Sequence, residues 1–417
     1  MPGPGMEWIG EEEKKAVLEV IDSGHLSRYG AEDNPKFLAK VYQLEQEFAR
    51  RCGVRYAVAV NSGTSALLAA LAALGVGPGD EVIVPGYTFI ASMSAVVFSR
   101  AVPVLAEVDK TLNLDSRDVE GKITPHTKAI LAVHMLGNPA RLEELKSIAD
   151  QHGLLLIEDC CQAAGATYRG KPVGSVGAVG CFSFNVYKTI TAGDGGIVIT
   201  DDEQTYRRAF AFHDQGHSPH RKGVEVGQCP FIGLDFRMTE LTAAVVLAQL
   251  AKMERIVARL RDTKRALKSA LADLPGVEFR EITDPEGEIA TLLTFFLPDE
   301  ATARAVAAEL GTKVVADSGW HVYSNMEHIL EKRTVTPQGC PFGCPSFPTP
   351  VEYRKGMLPQ TDALLARAIN LSVGVSDPGL GSSFGVTIHS DSGEVEHVAA
   401  RVREVVARVV SAVPRAR

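Results

Sequence analysis

Lys188 sits between an apolar run, Cys181-Phe-Ser-Phe-Asn-Val-Tyr187, and a glycine cluster, Gly193-Asp-Gly-Gly196. Upstream, the apolar segment Leu154-Leu-Leu-Ile-Glu-Asp159 ends on a carboxylate. An amine after one buried strand and a carboxylate at the end of another suit pyridoxal phosphate chemistry. The amine forms a Schiff base with the cofactor aldehyde. The carboxylate keeps the pyridine nitrogen protonated, so the ring draws electrons from a substrate carbanion.

Four further features fall in an order that makes one site. Asn61-Ser-Gly-Thr-Ser65 follows a strand and opens a helix. Gly63 lets the backbone approach an anion, free N–H groups at the helix start bind it, and Thr64 and Ser65 add hydroxyls. An ordinary helix cap is the alternative reading of that segment. Phe89, in Pro85-Gly-Tyr-Thr-Phe89, can stack on a flat heteroaromatic ring or serve as core. Ser183 lies five residues before Lys188, within reach of a phosphate. Gly193 to Gly196 let the chain turn sharply beneath a cofactor. Asp159, buried at a strand end, needs a partner, either a pyridinium N–H or a helix cap or ion pair. Glu158 points to the other side of its strand and reads as structural.

These residues need a scaffold. Apolar runs predict strands over Tyr56–Val60, Glu81–Val84, Val102–Val108, Ala129–Met135, Leu154–Asp159, Cys181–Phe184 and Gly196–Thr200. Helical stretches such as Ser65–Leu74 and Leu142–His152 fall between them. Short apolar strands alternating with helices mean an α/β fold with a mainly parallel sheet covered on both faces. From Thr239, Leu241, Ala244, Val245, Ala248, Met253 and Ile256 recur at helical spacing, predicting a long linking helix. Phe295–Pro298 and the helical stretch Thr302–Leu310 then start a smaller α+β unit, and Val395–Val413 reads as a closing helix. The expected division is an N-terminal arm over 1–30, a large domain over 31–255 and a small C-terminal domain over 256–417.

A chain of 417 residues, 45% hydrophobic and 23% charged, is an ordinary globular composition, long enough for two domains. A net charge of −8 argues against nucleic acid as a partner. No apolar stretch is long enough to span a bilayer, and the first residues lack a signal-peptide pattern. No membrane partner and a cytoplasmic location are therefore expected. Seven scattered cysteines imply no disulfide framework. Cys340 and Cys344, in a Pro/Gly-rich loop over 336–350, lack a matching Cys/His pair nearby, so no metal is expected.

As a set, the Ser-Gly-Thr start, Glu-Asp before a small-residue turn, Ser-Phe-x-x-x-Lys and Gly-acid-Gly-Gly resemble the DegT/StrS-type sugar aminotransferases. The likeness covers about residues 8–275 and returns in Leu358-Pro-Gln-Thr-Asp-Ala-Leu-Leu-Ala-Arg-Ala-Ile-Asn-Leu-Ser372. It implies a fold-type I pyridoxal 5′-phosphate enzyme with a seven-stranded, mainly parallel sheet. It also implies a homodimer in which both subunits line each site. By position, Lys188 is the Schiff-base lysine and proton shuttle and Asp159 pairs with the pyridine nitrogen. Phe89 stacks on the ring, and Thr64, Ser65 and Ser183 hold the phosphate. Within the family, Arg28-Tyr29, the segment Ile232–Glu240 and the segment Phe279–Gly287 look most like enzymes that aminate an eight-carbon keto-acid sugar to an amino-octulosonate.

Three positions depart from the family pattern. Gln162 stands where many members carry histidine, near the ring oxygen. Asp194 replaces glutamate. Asp235 replaces an asparagine that reaches the phosphate of the neighbouring subunit, so that contact needs a cation such as Arg237. Residues 311–350 also differ from the usual sugar-binding region. Candidate substrate residues are Arg28, Tyr29, His217 and Trp320, with His213 and His220 in the same polar loop as His217. That loop also reads as simply solvated. The resemblance implies amino transfer from glutamate or glutamine to a keto or aldehyde sugar. The alternatives are a pyridoxal phosphate sugar dehydratase, whose lysine is replaced by histidine in related enzymes, and a non-catalytic sugar-binding or regulatory homologue.

Overall fold

The computed structural model describes residues 3–31, 33–219, 229–343 and 351–412. His220 and Cys344 lie outside them. The chain opens with a short helix α1 (Pro4–Glu7), then α2 (Glu11–Ser23) and α3 (Lys40–Cys52). Strand and helix then alternate through β1 (Tyr56–Val60), α4 (Gly63–Ala73), β2 (Glu81–Pro85), α5 (Ile90–Phe98) and β3 (Val102–Ala106). They continue through α6 (Ser116–Gly121), β4 (Thr127–Val133), α7 (Leu142–His152) and β5 (Leu155–Asp159). A two-stranded hairpin, β6 (Thr167–Tyr168) with β7 (Lys171–Pro172), precedes β8 (Val179–Ser183), β9 (Gly196–Thr200) and α8 (Glu203–His213).

All seven predicted strands join one sheet in the order β1-β9-β8-β5-β4-β2-β3. Strands β3, β2, β4, β5 and β8 run parallel, while β9 is antiparallel to both its neighbours. Several strands end a residue or two from their expected limits: the apolar run continues past the last ladder hydrogen bond. Val133, for example, closes β4, and residues 134 to 138 turn out of the sheet.

Period-two alternation sorts β8. Phe182 and Phe184 pack edge-on against Phe48 of α3, at centroid distances of 4.9 and 5.8 Å. Cys181 and Ser183 point the other way, toward α4, where the Cys181 thiol lies 3.5 Å from the Ala66 carbonyl oxygen. The residues that carry chemistry thus share one face of a strand whose other face is core.

The long helix α9 (Glu240–Ala270) runs unbroken through the expected boundary at residue 255. Its Thr239 cap accepts from the Thr242 amide at 3.2 Å. Beyond it come β10 (Glu278–Phe279), β11 (Leu292–Phe296), α10 (Glu300–Leu310) and the short α11 (Glu327–Leu330). Then follow α12 (Pro359–Ala366), β12 (Ala368–Ser372) and the closing α13 (Ser392–Ala412). Strands β10, β11 and β12 form a second, antiparallel sheet. The first helices fold back on α9: Gln249 and Lys252 both bond to the buried Glu13 carboxylate, at 2.8 Å each.

Candidate active site

Strands β1, β2, β4, β5 and β8 all end on one side of the large sheet, and a cavity of about 300 Å3 lies there, where open α/β sheets bind ligands. Its wall holds Gly63, Thr64, Phe89, Asp159, Gln162, Ser183 and Lys188. Thr291 and Leu292 at the start of β11, with Val375 and Asp377 in the loop after β12, also line it.

After β1, Ser62 caps α4 by accepting from the Ser65 amide at 3.1 Å. The first N–H groups of a helix lack partners within it, so the Gly63–Thr64 turn offers donors to an anion. Gly63 is required here. A Cβ on it would lie 2.6 Å from Ser183 Cβ and 3.0 Å from Cys161 Sγ. Ser65 does not line the cavity: its hydroxyl donates to Asn61 Oδ1 at 2.6 Å, and it is buried. Ser62 lines the wall in its stead.

At the end of β5, Asp159 is 5% exposed. Its Oδ2 accepts from Ser92 Oγ at 2.7 Å and its Oδ1 from the Cys161 amide at 3.1 Å. Gln162 is held through Oε1 by the Leu136 amide at 2.9 Å, which leaves its NH2 as donor. Burial lowers the Lys188 ammonium below the ordinary lysine range, against the opposing pull of the Asp159 carboxylate. A lysine so shifted supplies a larger share of free amine at neutral pH. The same burial drives the Cys161 thiol well up, keeping it protonated.

Glu158 faces away, as its register requires. It accepts from the Gly174, Val176 and Gly177 amides at 2.7, 2.8 and 2.6 Å, and from His134 Nε2 at 3.1 Å. His134 Nδ1 accepts from the Ala140 amide at 3.0 Å. His134, Glu158 and Cys160 are close enough to hold a metal ion. The Glu158 oxygens are already engaged in pinning loop 174–177 to β5, and both His134 nitrogens are taken by Glu158 and the Ala140 amide.

Several candidate residues stand apart from the cavity wall. Arg28 is buried and forked onto both Glu45 oxygens at 3.1 Å each, and it donates to His213 Nε2 at 2.9 Å. His213 is therefore neutral, with its proton on Nδ1 toward the Phe210 carbonyl at 2.5 Å. Burial first, then Arg28, drives its pKa well down. Tyr29 donates its hydroxyl to Asp214. Asp235 meets Arg237 Nη2 at 2.5 Å, and Arg237 Nη1 also bonds Asp214 at 2.8 Å. The cation expected beside Asp235 is thus present. His217 keeps a buried Nδ1 without a partner among the described residues.

Trp320 is 60% exposed and packs edge-on against His328. Its neighbour His321 lines the cavity, 5.2 Å from the Phe89 ring. Sequence reasoning missed His321, Asp377 and Ser92. The first two come from irregular turns of the small unit, which carry no periodicity. Ser92 sits on the apolar helix α5, where a buried hydroxyl was the available signal.

Phosphate-sized donors at a helix start, a crowded glycine, a buried carboxylate and a lowered lysine occupy one cavity. The donor set fits pyridoxal 5′-phosphate: anion donors, a carboxylate and an amine line one cavity.

A family model described as the DegT/DnrJ/EryC1/StrS aminotransferase family matches residues 7–341. A GDP-perosamine synthase of Caulobacter vibrioides is 43% identical over 251 residues, 60% of this chain and 64% of that protein. The chain thus aligns with less than two thirds of that relative's length. An L-glutamine:2-deoxy-scyllo-inosose aminotransferase of Streptomyces kanamyceticus is 40% identical over 298 residues, 68% of this chain and 69% of the relative. The crystal structure of S. venezuelae DesV, in complex with a ketimine intermediate, superposes with a TM-score of 0.74 at 31% identity. The match covers 95% of this chain and 94% of that one.

Proposed function

The chain belongs to the DegT/DnrJ/EryC1/StrS aminotransferase family, and from that premise we propose that it moves an amino group from glutamate or glutamine to a keto or aldehyde sugar. The observation that carries this reading is Lys188, in the loop after β8, facing one cavity with Asp159 at the end of the adjacent parallel strand β5. Pyridoxal 5′-phosphate is the cofactor, and when bound it supplies the carbonyl that takes the amine and the ring that accepts electrons.

The residues divide the work. The Gly63–Thr64 amides and the hydroxyls of Ser62, Thr64 and Ser183 hold the phosphate. Asp159 keeps a proton on the pyridine nitrogen, and Ser92 holds its carboxylate in place. Phe89 packs on the ring face and Gln162 donates to the ring oxygen. Lys188 Nζ would hold the cofactor aldehyde at rest and, as a free amine, would move a proton at the substrate's α carbon.

The two relatives support the substrate class: one is named for a GDP-linked sugar product and the other for L-glutamine and a cyclic ketone. A nucleotide-linked sugar or an eight-carbon sugar is the proposed acceptor, and amino-sugar or antibiotic biosynthesis the setting. Lys188 weighs against a dehydratase.

A second copy of this chain is proposed to complete the site as a homodimer. Phe89 and Tyr187 support it, since both line the cavity yet are 39% and 44% exposed. No helix among the described residues is long and apolar enough to cross a membrane. Cys52, Cys160, Cys161, Cys181 and Cys229 are free thiols, which suits the proposed cytoplasmic location. The test is direct. Purified protein turns yellow with pyridoxal phosphate, and Lys188→Ala abolishes amino transfer to keto sugars read by mass shift. A colourless protein, or full turnover by Lys188→Ala, overturns the reading.

A further inference from the structure

The segment Gly3-Pro4-Gly5 is buried behind the lysine loop. The Gly3 amide donates to the Val186 carbonyl at 2.8 Å, and the Gly5 amide to the Lys188 carbonyl at 3.2 Å. The arm therefore binds the peptide that carries Lys188 directly. Both glycines are demanded by crowding. A Cβ on Gly3 would lie 2.2 Å from the Tyr187 carbonyl oxygen, and one on Gly5 2.8 Å from the Thr191 amide and 2.9 Å from Ile190 Cα. These are backbone atoms of the loop, so a methyl at either position forces arm and loop apart.

The arm is itself anchored on two sides. The Trp8 carbonyl accepts from Lys252 Nζ at 2.7 Å, and Arg255 lies over the Trp8 ring at 5.2 Å, both from α9. On the other side, Pro4 Cγ is 3.1 Å from where a Cβ on Gly374 would stand. Gly374 leads directly to Val375 and Asp377, which line the cavity wall facing Lys188. One short segment is thus wedged between the loop that presents the amine and the loop that forms the facing wall.

Resting on the reading of Lys188 as the reactive amine, we propose that Gly3 and Gly5 are positioning residues for Lys188. Their backbone fixes loop 186–191 from behind and so sets the depth of the amine in the cavity. Losing the arm removes the donors to the Val186 and Lys188 carbonyls and frees the loop to move toward solvent.

The test uses Gly3→Ala and Gly5→Ala in the full chain, with Gly121→Ala as control because no atom lies within 4 Å of a Cβ there. Without cofactor, acetylation of Lys188 is followed against pH by peptide mass spectrometry. The midpoint is expected to rise toward that of an ordinary lysine in both glycine variants and to stay put in Gly121→Ala. The dissociation constant for pyridoxal phosphate is expected to increase roughly tenfold, since about one buried hydrogen bond is lost. Folded Gly3→Ala and Gly5→Ala proteins with the unaltered midpoint and dissociation constant overturn the proposal.

If neither variant folds, hydrogen exchange of the segment 3–9 in the unaltered protein decides. Slower exchange with pyridoxal phosphate than without supports the clip, and equal exchange in both states overturns it. An unaltered protein that takes no colour defeats the cofactor assignment instead, and the acetylation comparison still tests the clip.

Discussion

Ser92 Oγ donates to Asp159 Oδ2 at 2.7 Å from a fully buried position on α5. With that hydrogen committed to the carboxylate, Thr88 is the donor in its 2.7 Å contact with Ser92. Two hydroxyls after β2 therefore hold a carboxylate at the end of β5. Removing the charge while keeping the shape, in Asp159→Asn, is expected to lower turnover by at least ~10²-fold, the equivalent of about 3 kcal/mol. Ser92→Ala leaves the charge but frees the carboxylate to rotate. Its expected effect is a loss of roughly 10-fold in cofactor affinity, the lower end for one charge-assisted hydrogen bond. Steady-state turnover and spectrophotometric cofactor titration, measured on each variant, check both. Equal losses in the two variants would contradict the assigned roles.

Glu158 is expected to matter for stability and not for chemistry. Its carboxylate is fully buried and accepts from three backbone amides and His134. Glu158→Ala strands those donors and is expected to cost about 3–5 kcal/mol. Thermal unfolding should show the loss, while any protein that remains folded keeps its yellow colour. A melting temperature equal to that of the unaltered chain counts against the pinning of loop 174–177.

His321 gives a pH dependence with a definite sign. Burial first, then the nearby Lys188 charge, pushes its pKa down from 6.5 to about 3. Between those values the unfolded chain binds a proton that the folded chain refuses. Stability is therefore full above about pH 6.5 and falls as pH drops toward 3, by at most about 1.4 kcal/mol per pH unit. His321→Gln is expected to flatten the acid side of the stability curve measured by urea unfolding. An unchanged slope between pH 4 and 6 would rule His321 out as its source.

Arg237 bridges the buried Asp214 and the exposed Asp235. Arg237→Ala takes a guanidinium from a buried carboxylate, which is expected to cost about 3 kcal/mol. Asp235→Asn removes only a half-exposed pair, and its expected effect on stability is within about 1 kcal/mol. Urea unfolding of the two variants separates them. Comparable losses would mean that the exposed pair carries as much as the buried one.

By itself, the sequence determined the sheet and the cofactor end of the site. Those signals are local: short continuous apolar runs for the seven strands, a glycine before a helix at Gly63, and charged residues closing apolar strands at Asp159 and beyond β8 at Lys188. Each is readable because burial along a short segment leaves a pattern in that segment. Tertiary structure decided what depends on residues far apart in the chain. It moved Arg28 and Tyr29 into a buried network with Glu45, His213 and Asp214, although their spacing gave no hint of those partners. It turned the Ser65 hydroxyl inward onto Asn61 and brought Ser62, the helix cap, to the wall. It selected His321 over Trp320, because a single turn of backbone determines which of two neighbouring rings faces the cavity. It also set Gly3 and Gly5 against Lys188, a contact between distant segments of the chain. Long-range contacts of that kind follow from packing and leave no periodicity to read, whereas the lysine and its carboxylate stand at strand ends that the sequence already marks.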